Sequence, residues 1–224
     1  YDILFFWVAR MVMMGLEFTD EVPFDTIYMH GLVRDEKNEK MSKTKGNVVD
    51  PLDVVDEYGA DALRFSLVTG VTPGQDVPLS MERVKVNRNF CNKLWNAARF
   101  LEPKMVTSGG IITQEELASM PLFERYIVSE AHACAEASAA ALEDYSIGDA
   151  GTRAYRFFYD EFADWYVEVS KTRSEEDQEA SQRALSYSFE VCLKLLHPFV
   201  PHVTEYLWQK LFNAAGDDRA LMTE

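Results

Sequence analysis

The sequence predicts an α/β unit followed by an all-α helical bundle, mostly helical overall. Three observations carry that prediction. β-Forming residues gather early, in TIYMHGLV. From residue 81 onward apolar residues recur three and four apart, the period of a helix with one buried face. Between the two lies TPGQDVPLS, rich in turn residues, which predicts a division into residues 1–79 and 80–224.

Composition narrows the function classes. The chain has 224 residues, 47% hydrophobic and 26% charged, as expected of a globular and not a disordered protein. Its formal net charge of -15 argues against non-specific binding to polyanions. It leaves nucleic acid open, because binding responds to local patches. Cys91, Cys134 and Cys192 stand far apart with no CxxC spacing, which predicts reduced thiols in an intracellular protein. His30, His132, His197 and His202 form no metal-binding set, and no metal site is predicted. The run ILFFWVARMVMMGL is broken by Arg10 and too short to span a bilayer, so no membrane is expected. A chain that opens on such a run is expected to be a piece of a longer polypeptide.

The elements follow in order. Residues Asp2 to Leu16 are apolar nearly all round, which predicts a helix covered on several sides. A short strand is expected over Thr26–His30, ending at Gly31 and running into a polar loop, where open α/β sheets place ligands. In DPLDVVDEYG, Asp50 is the expected N-cap, Pro51 the first helical residue and Gly59 the terminator. ADALRFSLVTG predicts a second short helix.

In the bundle, a helix from Met81 to Leu101 should bury Val84, Cys91, Leu94, Trp95, Ala98 and Leu101. Thr113 with Glu116, and Ser146 with Asp149, have the spacing of capping boxes. Helices are expected over 121–142, 146–171 and 176–196, the second with Tyr155, Phe158, Phe162, Trp165 and Val169 inward. HPFVPHVTEYLWQKLF predicts a proline-marked turn and a last helix.

One stretch is out of keeping with an acidic chain. NEKMSKTKGN gathers Lys40, Lys43 and Lys45 beside Ser42, Thr44 and Gly46. Clustered lysines repel one another, so a solvated loop is the plain reading. A mobile basic loop after a strand is also a way to stabilise charge on a transferring phosphate. The order Gly-x-x-x-x-Gly-Lys-Ser/Thr is absent, which excludes the P-loop hydrolases.

KMSKTKGN resembles the KMSKS signature of the class I aminoacyl-tRNA synthetases, with Thr44 where many members carry serine. YDILFFWVARMVMMGLEF, the text around the loop, GQDVPLSMERVKVNRNFCNKLWNAARF and LHPFVPHVTEYLWQKL resemble the valine-specific members, in that order. The resemblance implies the C-terminal part of a Rossmann-type catalytic domain, then an anticodon-binding domain. It implies ATP, expected with Mg2+, and valine and tRNA(Val) as partners of a monomeric cytoplasmic enzyme, plastid and mitochondrial members being known. Lys40 and Lys43 would be catalytic, meeting the phosphates as pyrophosphate leaves. Met41, Ser42, Thr44 and Lys45 would complete the loop over ATP.

Other residues carry two readings each. Asp2 would accept the ribose hydroxyls, or it is an acid at a helix start. Trp7 would wall the valine pocket, or it is an ordinary core tryptophan. His30 and Gly31 would meet the nucleoside, or His30 is structural. Between Glu82 and Glu102 no acid occurs, while Arg83, Lys85, Arg88, Lys93 and Arg99 form a stripe fit for tRNA phosphates or for water. Phe90 and Trp95 are read as core.

The family's His-x-Gly-His signature and its editing domain are absent and would precede Tyr1, so this chain alone is expected to be inactive. An isoleucine-type relative and a non-catalytic RNA-binding helical module are the alternatives.

Overall fold

The computed structural model describes residues 3–106, 110–213 and 219–223. Its first segment is a π-helical turn, Leu4–Val8, running into α1, Ala9–Thr19. The expectation of burial fails here: neither element contains a buried residue. Phe5, Phe6, Trp7, Met13 and Phe18 are all exposed, so no described part of the chain supplies the cover that the apolar pattern calls for.

The strand is displaced. Thr26–His30 is not in a strand; β1 is Val33–Arg34 and pairs in parallel with β2, Val77–Pro78. Two residues explain the register. Gly31 is buried where the backbone of 75–76 crosses it: a Cβ there would stand 1.9 Å from the Gln75 carbonyl oxygen. Asp76 then accepts a hydrogen bond from Leu32 N (2.8 Å) and pairs with Arg34. Those two contacts, the Leu32 amide first, hold the Asp76 carboxyl below the usual carboxylate range. The turn-rich stretch is therefore partly an edge strand, with Pro78 tolerated at that edge.

The caps of the next helices follow their chemistry. Asp50 accepts from Leu52 N (2.9 Å) and Pro51 opens α2, Pro51–Tyr58. Gly59, at φ 91°, separates it from α3, Ala60–Val68. Ser80 caps α4, Met81–Leu101, by accepting from Arg83 N. α5 is Gln114–Ser119, with Thr113 accepting from Glu116 N (3.2 Å). α6 is Leu122–Glu143. Ser146 makes no side-chain cap, because Tyr145 turns left-handed (φ 58°) and Ser146 N instead satisfies the Ala141 carbonyl.

The expected helix over 146–171 is continuous but not regular. It comprises α7, Ile147–Arg156, a π-helical stretch Phe157–Tyr166, and α8, Val167–Ser170. In a π-helix the bond runs from i to i+5 and each turn takes more than four residues, so the inward residues come four and five apart. Phe157, Phe162 and Val167 are buried, with Phe158 and Tyr166, while Trp165 and Val169 are only partly covered. A period of 3.6 therefore picks the wrong residues at the end of this helix. α9, Gln178–Leu196, and α10, Pro201–Leu211, complete the bundle.

The main core joins α3, α4, α6, α7, the π stretch, α9 and α10 around Phe158, Phe162, Phe189, Leu193 and Trp208. α3 belongs to it through Phe65, stacked on Phe90 at 5.0 Å. Trp95 does not: it is 38% exposed and stacks on Tyr206 of α10 at 5.0 Å. The thiols are free. Burial pushes Cys91 up to about 12, raises Cys134 and holds the fully buried Cys192 well above the usual thiol range. Among the described residues, no helix is long and apolar enough to cross a membrane.

Candidate nucleotide and RNA site

The lysine loop is a closed turn on a fixed base. Asn38, left-handed at φ 61°, lets the chain reverse, and Lys40 bridges back to Arg34. Met41 turns inward and packs against the small apolar cluster of Val54, Leu63, Leu79 and Val84. Ser42 closes the tip by accepting from Lys45 N (3.2 Å), and Gly46 N donates to the Ser42 carbonyl (3.1 Å). Gly46 sits at φ 69°, a conformation an L side chain resists.

This leaves the lysines in different states. Lys43 is exposed at the tip and forms no ion pair with a described residue, so its ammonium is available to an incoming anion. Thr44 is exposed beside it. Lys45 pairs with Glu39 at 3.3 Å, a surface pair worth little. A cleft of about 630 Å³ opens behind the loop, between Asp35, Glu36 and Glu39 and the apolar Val49, Leu79 and Met81. Lys37 and Lys45 line it as well, so its acids are largely offset; Lys43 does not line it.

The cation stripe of α4 is divided by the structure. Arg83 is partly buried and donates to the Thr69 carbonyl, joining α4 to the end of α3. Lys93 pairs with Asp164 (2.5 Å) and lies 3.1 Å from the centre of the Tyr159 ring. Both are structural in this setting, because each ammonium or guanidinium is already spent on a partner. Lys85, Arg88 and Arg99 remain on one exposed face with Asn92 and Asn96 and make no salt bridge to a described residue. Trp95, stacked on Tyr206, lies along the same face.

Comparison with known proteins places the chain. Residues 1–80 match the family of class I tRNA synthetases for I, L, M and V, and residues 124–224 match the anticodon-binding domain of tRNA ligase. The chain is 48% identical over 227 residues to the chloroplastic/mitochondrial valine–tRNA ligase 2 of Arabidopsis thaliana, covering 94% of the chain and 23% of that protein. It is 45% identical to the valine–tRNA ligase of Solibacter usitatus, covering 99% of the chain and 25% of that protein.

The chain belongs to the class I tRNA synthetases.

Within that family the fold is shared widely. In the LeuRS–tRNA–LeuAMS complex of Agrobacterium radiobacter K84, the match has a TM-score of 0.72 at 21% identity and covers 95% of this chain and 26% of that one. The apo methionyl-tRNA synthetase of Mycobacterium tuberculosis matches with a TM-score of 0.65 at 21% identity, covering 98% and 45%. This synthetase chain spans about a quarter of the length of the curated relatives it matches.

The other residues expected at the site are Trp7, His30, Gly31 and Asp2. Trp7 is 58% exposed on the π turn. His30 is exposed, its Nδ1 2.9 Å from the Gly31 carbonyl oxygen. The space beside Gly31 is filled by the chain's own backbone at Gln75, which leaves no room for a base on that side. Asp2 lies outside the described residues. Among the described residues, no three His, Cys, Asp or Glu side chains are grouped to hold a metal ion.

Proposed function

We propose that the polypeptide containing this chain is a valine–tRNA ligase: it activates valine with ATP and transfers it to tRNA(Val). The observation that supports this most is the 48% identity to a protein named as a valine–tRNA ligase, sustained over 94% of the chain. Further support comes from a lysine loop complete in Lys40, Ser42, Lys43 and Lys45.

In the first step a carboxylate oxygen of valine attacks the α-phosphorus of ATP. The bond from that phosphorus to the bridging oxygen breaks, and charge moves onto pyrophosphate. Lys43, exposed and without an ion-pair partner among the described residues, and Lys40 at the loop entry are the cations that meet this charge. Met41 anchors the loop through the apolar cluster, while Ser42, Thr44 and Lys45 shape and flank its tip. Mg2+ is expected with ATP, where it would screen the phosphate charge. Trp7 offers a ring face to the valine side chain, and Asp2 and His30 are assigned to the nucleoside side, while Gly31 serves the close backbone crossing at Gln75.

We further assign residues 1–79 to the end of the catalytic domain and 80–224 to the anticodon-binding domain, with a cytoplasmic monomer as the working form. The first family match ends at residue 80, where Ser80 caps α4. The tRNA-contacting cations are Lys85, Arg88 and Arg99; Arg83 and Lys93 brace that helix from within.

Charging of tRNA(Val) by the complete protein tests this reading, with valine and isoleucine side by side. Replacing Lys85, Arg88 and Arg99 together by alanine should weaken tRNA binding and flatten its salt dependence. Each lost phosphate contact reduces the log–log slope by roughly 0.7 to 0.9. An unchanged slope would remove this face from the tRNA interface.

A further inference from the structure

The lysine loop is held at its base by two side chains that family resemblance does not assign. Asp35 accepts at Oδ1 from Glu39 N (2.7 Å) and Lys37 N (3.1 Å), fixing the turn that leads into the loop. Its Oδ2 accepts from Asn47 Nδ2 at 2.8 Å, across the loop's two ends. Asn47 in turn accepts at Oδ1 from Ser42 N (2.9 Å), and Nδ2 also lies 3.4 Å from the Lys40 carbonyl oxygen. One amide thus ties the loop's exit to its entry at three points, with Lys43 at the apex of the arc. The Asp35 carboxyl is held below its usual range, first by the Asn47 amide and then by the Glu39 backbone N–H.

We propose that Asp35 and Asn47 are a latch, a pair of positioning residues that presents Lys40 and Lys43 to the phosphates in a preorganised arc. This deepens the ligase reading and rests on it. The tip from Lys43 to Gly46 is exposed, and Ser42 and Gly46 alone would close a turn that could still swing about its ends. Joining the two ends removes that swing. It matters because a charge donor displaced by about 1 Å from the leaving group can cost a hundredfold in rate. Neither residue touches substrate in this scheme; each acts through the lysines.

The chemistry of the pair supplies its own test. Asn47→Asp sets two carboxylates against each other where an amide now donates. Combining Asp35→Asn with Asn47→Asp reverses donor and acceptor. The amide now at position 35 can donate to the carboxylate at position 47, which can still accept from Ser42 N. In the complete protein, valine-dependent ATP–pyrophosphate exchange is measured for wild type, both single variants and the swap, with thermal unfolding alongside. The expected result is a roughly 10- to 100-fold fall in kcat for Asn47→Asp, an unchanged KM for valine and recovery of most of the rate in the swap.

An Asn47→Asp variant with wild-type kcat overturns the latch. So does a fall in rate that the swap leaves uncorrected, or one matched by general unfolding. If wild type supports no exchange with any amino acid, the ligase reading fails and the latch fails with it; a latch failure alone leaves wild-type exchange intact.

Discussion

Lys43→Ala in the complete protein should lower valine-dependent ATP–pyrophosphate exchange by roughly a hundredfold or more, the scale of losing one preorganised charge donor. Lys43 is the lysine at the exposed tip, and no described side chain competes for it. Its ammonium contributes most when charge has moved onto pyrophosphate, so the loss should fall on kcat. Lys45→Ala should do much less, because Glu39, 3.3 Å away, sets a negative charge beside it that opposes an incoming anion. Steady-state exchange with varied ATP separates the two: a Lys43→Ala defect confined to the KM for ATP would mean ground-state binding only.

The second large effect is structural. Glu124 of α6 is fully buried, and its charge is met by Arg173, with Nη2 to Oε2 at 3.0 Å and Nε to Oε1 at 2.9 Å. Tyr166 donates to the same carboxylate at 3.4 Å. Arg173→Met should destabilise the bundle by about 3–5 kcal/mol, since the carboxylate would be left buried without a counter-charge. Adding Glu124→Leu should restore most of that loss, because replacing a buried pair is far cheaper than breaking one. Urea unfolding of wild type, the single and the double variant decides it. A single variant as stable as wild type would mean that water reaches Glu124.

Much of this molecule could be read from residues whose signals are local. Asp50, Pro51 and Gly59 predict α2 because capping needs only near neighbours. α4 was legible from end to end for the same reason, as was the turn that carries the lysines. What resisted reading depends on partners far away in sequence. β1 lies where Asp76, more than forty residues on, supplies an acceptor to Leu32. The π stretch changes the helical period at Phe157, so Trp165 looked inward when Tyr166 and Val167 are the buried residues.

Trp95 misled in the same way. Its spacing put it with Leu94 and Ala98, yet its ring leaves the core and meets Tyr206. The loop lysines stood out as charge in an acidic chain, but their restraints did not. Asp35 and Asn47 are twelve residues apart, and no periodicity links an acid before a loop to an amide after it. Asn following Gly46 was the available signal, since short amides serve to bond neighbouring backbone.

The most direct measurement is ATP–pyrophosphate exchange by the complete protein, with valine and isoleucine supplied separately. A valine–tRNA ligase should support exchange with valine, and with isoleucine about 10- to 200-fold less, the discrimination one carbon in an apolar pocket allows. Exchange with neither amino acid, or a preference for isoleucine, would contradict that reading.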